Sequence, residues 1–198
     1  AMLFTAGLSW KYILPVAAMI PPAAIVAWNF LLDDDKKNRI LAVIDPTLVE
    51  AADSWQQQRG LISIGNGGLW GNGVFMETGQ FRYVPEVYND FIFTYIGETV
   101  GFIGCLAVLL VLAFLCIRIL SNGLRAPDDL GKYICVGVFA MIGIQIIINI
   151  GMCLGMMPVI GVTLPFLSAG GTSTGTLYLA IGVVLSVYVH SGKDMLFG

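Results

Sequence analysis

Three polar side chains stand at helical spacing where a long apolar run begins: Asp90, Thr94 and Glu98. Positions i, i+4 and i+8 lie along one face of a helix. A carboxylate at the edge of an apolar segment is expensive and usually faces a bundle interior or a watery cavity. Asp90 has two readings on its own residues. It is either the N-cap of the helix that follows or a general base, which the positive end of that helix would keep ionised and ready to accept a proton.

Other groups offer less chemistry. His190 is the only histidine, which leaves little room for a histidine-based triad or a zinc site. Cys105, Cys116, Cys135 and Cys153 sit in apolar runs without CxxC spacing, as small packing residues do. Gln145 and Asn149, four apart in an apolar stretch, read as interhelical hydrogen-bond donors. Gly151 and Gly155 form a GxxxG close-packing pair.

The elements that must position these groups follow from composition. The 198 residues are 57% hydrophobic and 12% charged, with mean hydropathy +0.84. Soluble domains carry about 25% charged residues, so the chain is a membrane protein. A net charge of −3 argues against nucleic acid as a partner. About 20 apolar residues cross a bilayer, which predicts four helical spans near 12–32, 92–117, 133–154 and 173–190 in one membrane domain, 1–198. Pro15, Pro21 and Pro22 predict a kinked or broken first span. Residues 1–9 resemble the tail of an earlier helix, without a signal peptide's charged start and cleavage site. The N-terminal part of a longer protein is expected to precede them.

Arg118, Arg125 and Lys132, together with Lys11 and Lys193, fall on one side of this four-span arrangement. That side should be the cytoplasm, with the C-terminus there and the long loop 33–91 outside. Within the loop, Asp33–Asp45 reads as an interfacial amphipathic helix ended by Pro46. Gln56–Gly73 contains Gly65-Asn66-Gly67-Gly68-Leu69-Trp70-Gly71-Asn72-Gly73. The glycine-rich piece reads as a tight, partly re-entrant loop or as one shaped around a lipid-linked substrate. A phosphate cradle would need a strand before it and a helix after it. The irregular stretch from Pro158 to Ser173 is expected to line the same outward cavity as Asp90, because such backbone is tolerated at membrane depth only against protein or water.

These motifs have a familiar order. Ile64 to Gly73, then Val84-Pro85-Glu86, Asp90-Phe91-Ile92-Phe93 and Gly97-Glu98 come first. Asn149-Ile150-Gly151-Met152, Met157-Pro158-Val159-Ile160-Gly161 and Leu164 to Ser173 follow. Together they resemble the SEDS family, the shape, elongation, division and sporulation proteins of the RodA and FtsW type, from about Gly7 to His190. Three places depart from its pattern. Tyr88-Asn89 stand where His-Thr is usual, Asn72 where a basic residue is frequent, and Ala169 where Tyr is usual.

The resemblance implies an all-α, ten-helix fold in the bacterial cytoplasmic membrane, of which this chain would be the last four helices. It implies a glycosyltransferase that polymerises lipid II alongside a class B penicillin-binding protein, with Asp90 in the place of the family's essential aspartate. In an inverting transfer, Asp90 would take the proton from the acceptor hydroxyl. Glu86 and Glu98 are candidates for orienting the acceptor or tuning that base. Arg59 and Arg82 are candidates for the departing pyrophosphate, which needs basic groups or a metal such as Mg²⁺. Ser168, Gly170 and Gly171 are further substrate-binding candidates. The competing readings are a flippase for the same lipid-linked precursor, a scaffold for the penicillin-binding protein, and an inactive remnant.

Overall fold

The computed structural model describes residues 2–7, 9–45, 51–73 and 88–197. The described residues are helical and turn-forming, with no strand among them. The helices are α1 (Met2–Thr5), α2 (Trp10–Val26, continued by a π-helical turn Ala27–Leu31), α3 (Asp34–Ile44), α4 (Ala51–Gly67), α5 (Ile92–Leu124), α6 (Asp129–Cys153) and α7 (Gly171–Phe197). Four segments are long and apolar enough to cross a membrane: Lys11–Leu31, Ile92–Leu124, Asp129–Cys153 and Gly171–Ser191.

The prolines of the first span do not break it. Pro15, Pro21 and Pro22 all lie inside α2, and the irregularity appears further on, as the π-helical turn at Ala27–Leu31. Each proline removes one helical donor, and widening the next turn is one way for the carbonyl ladder to adjust. Nor does Arg118 end the second span, since α5 continues to Leu124. A long cationic side chain near a helix end can extend toward the interface while its stem stays in apolar surroundings.

α3 matches the expected amphipathic helix. Its flanks are Asp33 and Asp45, and Lys36–Asp33 and Lys37–Asp34 pair one turn apart at 3.3 and 3.5 Å. The stretch before the glycine-rich piece is helical, α4 runs on through Gly67, and of the expected tight loop only residues 68–73 turn. The glycines of α4 permit close approach rather than bending. A Cβ on Gly67 would fall 1.8 Å from the Gly97 carbonyl oxygen, and one on Gly60 would lie 3.1 Å from Thr94 Cγ2. Gly60, Ser63 and Gly67 therefore form a small-residue face that lets α4 lie directly on α5.

α5 is itself interrupted. Gly101 has φ 75° and ψ −167° inside an otherwise helical run, so the surrounding amides and carbonyls lose their helical partners. The 68–73 turn supplies replacements. Asn72 N and Gly73 N donate to Glu98 O and Thr99 O (2.9 Å each), while Phe102 N and Ile103 N donate to Gly68 O and Leu69 O (2.9 and 3.3 Å). Backbone left open at membrane depth must be satisfied by protein in this way.

Two apolar cores form the bundle. Phe91, Phe93, Cys105, Leu112, Cys153 and Leu164 make one, and Cys116, Ile119, Cys135, Ile142, Leu177 and Val184 the other. All four cysteines are buried in these cores as small packing groups. The GxxxG pair packs closely, with a Cβ on Gly151 falling 2.9 Å from Met157 Cγ and one on Gly155 3.2 Å from Leu61 Cδ1, and it also ends the helix. Gly155 (φ 73°) closes α6, with Met156 N bonding Gly151 O at 2.8 Å and Gly155 N bonding Met152 O at 3.2 Å, the Schellman pattern of a helix end.

Candidate active site

Asp90 lies in a turn, residues 88–91, immediately before α5. Phe91, fully buried, holds the N-cap position, and no side chain caps the helix. The N-cap reading of Asp90 is therefore displaced by one residue. The expected common face also changes, because Asp90 precedes the helical register. Thr94 is fully buried and donates to Phe91 O at 2.6 Å. Glu98 is 1% exposed and accepts a hydrogen bond from Ser63 on α4. Glu98 thus sits in the α4–α5 packing, whereas Asp90 is only half-buried.

The backbone at Asp90 is fixed from α6. Asn149, with no exposed surface, donates its Nδ2 both to Asp90 O and to Val162 O, each at 2.7 Å. One amide therefore ties the turn before α5 to the irregular stretch after α6. The Cys153 thiol reaches the same Asp90 carbonyl at 3.8 Å. A second tie runs from Ala169 N to Tyr88 O at 2.9 Å. The carboxylate faces Gly161, whose φ is 73° and where a Cβ would come within 3.4 Å of Asp90 Oδ2. Glycine here allows both the left-handed backbone and open access to that oxygen.

The stretch around Gly161 is held on several sides. Gln57 of α4 donates Nε2 to Met152 O (3.0 Å) and Met157 O (2.9 Å), and Arg39 of α3 reaches Val159 O at 3.3 Å. Ser168 is buried and its hydroxyl accepts from Leu164 N at 2.7 Å, so it shapes the turn that Leu164 begins. Thr163 and Ser173 share a 2.7 Å hydroxyl contact. Phe166 takes a left-handed φ of 64°, a strained value for a bulky residue. Gly170 lies close enough to Thr163 that a Cβ would sit 3.3 Å from its Cγ2, and Gly171 opens α7 into free space.

The structure thus brings Asp90 beside Asn149 and Gly161 and ties the neighbouring Tyr88 to the turn at Ala169. Arg59 stacks its guanidinium over Trp55 at 5.5 Å on α4. Glu86 and Arg82 lie outside the described residues. Among the described residues, no group of three or more His, Cys, Asp and Glu could hold a metal ion. Asn149 was legible as a polar residue in an apolar helix, but not as the clamp on Asp90. Nothing in the sequence marked Gly161 as the wall facing the carboxylate.

Comparison with known proteins gives a consistent result. The family model of FtsW, RodA and SpoVE, described as cell cycle proteins, matches residues 1–193. Stage V sporulation protein E of Bacillus subtilis is 40% identical over 153 residues, covering 77% of this chain and 42% of the relative. The peptidoglycan glycosyltransferase MrdB of Escherichia coli K12 is 34% identical over 194 residues, covering 96% of this chain and 51% of MrdB. A chain from a structure of a peptidoglycan synthase complex that coordinates polymerization and crosslinking superposes with TM-score 0.76 at 26% identity, over 96% of this chain and 52% of that one. A mutant of the rod shape determining protein RodA from Thermus thermophilus gives TM-score 0.52 at 26% identity, over 91% of this chain and 57% of RodA. The chain spans about half the length of these relatives. With four membrane-length helices in an all-helical fold, and the family's model matched from residue 1 to 193, the chain belongs to the FtsW/RodA/SpoVE family.

Proposed function

We propose that this chain is the catalytic half of a peptidoglycan glycosyltransferase that polymerises lipid II at the outer face of a bacterial cytoplasmic membrane. The observation that carries the reading is the placement of Asp90. Its carboxylate lies at the mouth of a membrane helix against Gly161, on backbone clamped by Asn149. In the transfer, the acceptor sugar's hydroxyl oxygen attacks the donor's anomeric carbon while Asp90 takes the hydroxyl proton. The bond to the lipid pyrophosphate breaks on the opposite face, and the pyrophosphate leaves with the bonding pair. One base on one side of the ring is what an inverting displacement needs.

Ser168, Gly170 and Gly171 serve this reading by shaping the turn that borders Asp90, and Gly171 leaves the start of α7 open. Glu98 acts through packing, by holding α4 on α5. Arg59, stacked on Trp55, is the described one of the two arginines proposed to meet the pyrophosphate. The natural partner is a class B penicillin-binding protein, since the matched synthase complex couples polymerization with crosslinking.

The test is Asp90→Asn in the intact protein, assayed for polymerisation of purified lipid II and for precursor transport. Loss of polymerisation by about 100- to 10,000-fold, the usual worth of a general base, with unchanged thermal stability is the expected result. Full polymerisation by the variant sinks the base assignment. Lost transport of the precursor, with no polymerisation by the parent protein, would favour a flippase.

A further inference from the structure

Between α6 and α7 lies a cavity of about 280 Å³ lined by Met141, Gln145, Thr172, Ser173, Thr176 and Leu177. One of its polar atoms stands out: among the described residues, Gln145 Oε1 is buried with no hydrogen-bond partner. A buried amide oxygen left without a donor is unfavourable, and native structures rarely keep one without a reason. Gln145 sits one helical turn before Asn149, about 6 Å along α6, so the cavity adjoins the clamp on Asp90. The link is also made from α7, through the Ser173–Thr163 contact at 2.7 Å.

The chemistry of the walls narrows the occupant. No lining residue is charged, and the polar groups are one amide and three hydroxyls. Thr176 donates its hydroxyl hydrogen to Thr172 O at 2.9 Å, so its oxygen is left as an acceptor. An ionised pyrophosphate diester has no hydrogen to offer Gln145 Oε1 and meets no cation among the lining residues. A single water fills about 30 Å³, far less than the space present. A ligand rich in neutral O–H or N–H donors fits both the orphaned acceptor and the volume.

We infer that this cavity is a saccharide subsite, in which a hydroxyl or N-acyl N–H of the lipid-linked sugar donates to Gln145 Oε1. The inference rests on the proposed glycosyltransferase reading and deepens it: the α7 hydroxyls and Gln145 hold the sugar, while Asp90 acts on the reacting hydroxyl.

The experiment compares binding of two probes, lipid II and undecaprenyl pyrophosphate, to the intact protein carrying Asp90→Asn so that no turnover occurs. Gln145→Met keeps the side chain's length and removes the acceptor. It should weaken lipid II binding roughly tenfold, the worth of about one neutral hydrogen bond, and leave undecaprenyl pyrophosphate binding unchanged. Thr176→Val, exposed on α7 and milder for folding, should shift the same ratio in the same direction. Equal affinity for both probes in both variants, or equal loss for both, overturns the subsite. If the protein without these two changes binds neither probe, the lipid-linked substrate itself is wrong, and that outcome is distinct from a failed subsite.

Discussion

At Asn149 a single buried amide satisfies two carbonyls that belong to different loops, Asp90 and Val162. Its removal takes the amide donor from both acceptors and leaves Asp90 O only the weak Cys153 thiol, at about 1–3 kcal/mol for a buried acceptor left unsatisfied. Asn149→Leu should therefore lower the thermal midpoint of the intact protein clearly. It should also depress kcat more than KM, because the carboxylate's backbone loses its anchor while the sugar-holding residues remain. A stable variant with normal kcat would show that Asp90 is positioned by something else. Gly161 makes the opposite kind of contribution, through what it lacks. Gly161→Ala forces an L side chain into φ 73°, at about 1–2 kcal/mol, and sets a methyl 3.4 Å from Asp90 Oδ2. Polymerisation should fall further than that loss of stability explains, as measured by rates at temperatures well below unfolding. Asp90 was legible from its residue type and its place at the edge of an apolar run. Asn149's two partners were not, because a sequence shows a donor but not which carbonyls converge on it.

The element that decides the geometry is α5, whose break at Gly101 is closed by the 68–73 turn. Both sides of that junction need glycine. A Cβ on Gly101 would lie 2.3 Å from Gly71 N, and one on Gly71 would lie 2.3 Å from Thr99 O. These neighbours are backbone and cannot rotate away. Gly71→Ala or Gly101→Ala should release the turn, seen as faster hydrogen exchange at the amides of Asn72, Gly73, Phe102 and Ile103. Unchanged protection at these amides would refute the docking. Hydropathy alone located the four long apolar helices, since burial in lipid is written into composition, but stopped short of the end of α5 at Leu124. It could not reveal the interruption of α5, because one more glycine in an uncharged run leaves the hydropathy unchanged. The same limit hid the contact face of α4: its glycines at 60, 65 and 67 are usual turn residues, and only the approach of α5 shows that two of them serve helix contact. The Schellman end at Gly155 hid inside a GxxxG pattern for a similar reason, since identical spacing serves packing and termination.

At the scale of the whole molecule, the arrangement has a direction. The link between α5 and α6 and its flanks carry Arg118, Arg125 and Lys132, while Asp90, Gly161 and the docked 68–73 turn gather at the opposite ends of those helices. The rule that basic residues in short links are retained in the cytoplasm predicts that the carboxylate lies where a precursor displayed outside the membrane can reach it. The four cysteines of this chain are buried, so an introduced thiol can be read against a quiet background once any cysteine elsewhere in the full-length protein is replaced by serine. Asn66 at the end of α4 and Pro127 in the α5–α6 link are both exposed. In intact cells an impermeant thiol reagent should label the full-length protein carrying Asn66→Cys. With Pro127→Cys it should react only after the membrane is opened. The reverse pattern would turn the bundle over and bring Asp90 to the cytoplasmic side. A base there could not act on a chain growing outside the cell, and the polymerase reading would fall with the topology. The expected pattern would leave the α6–α7 cavity and the Asp90 turn facing the same outer compartment. Sugar binding and proton removal could then occur on one substrate without its crossing the bilayer between them.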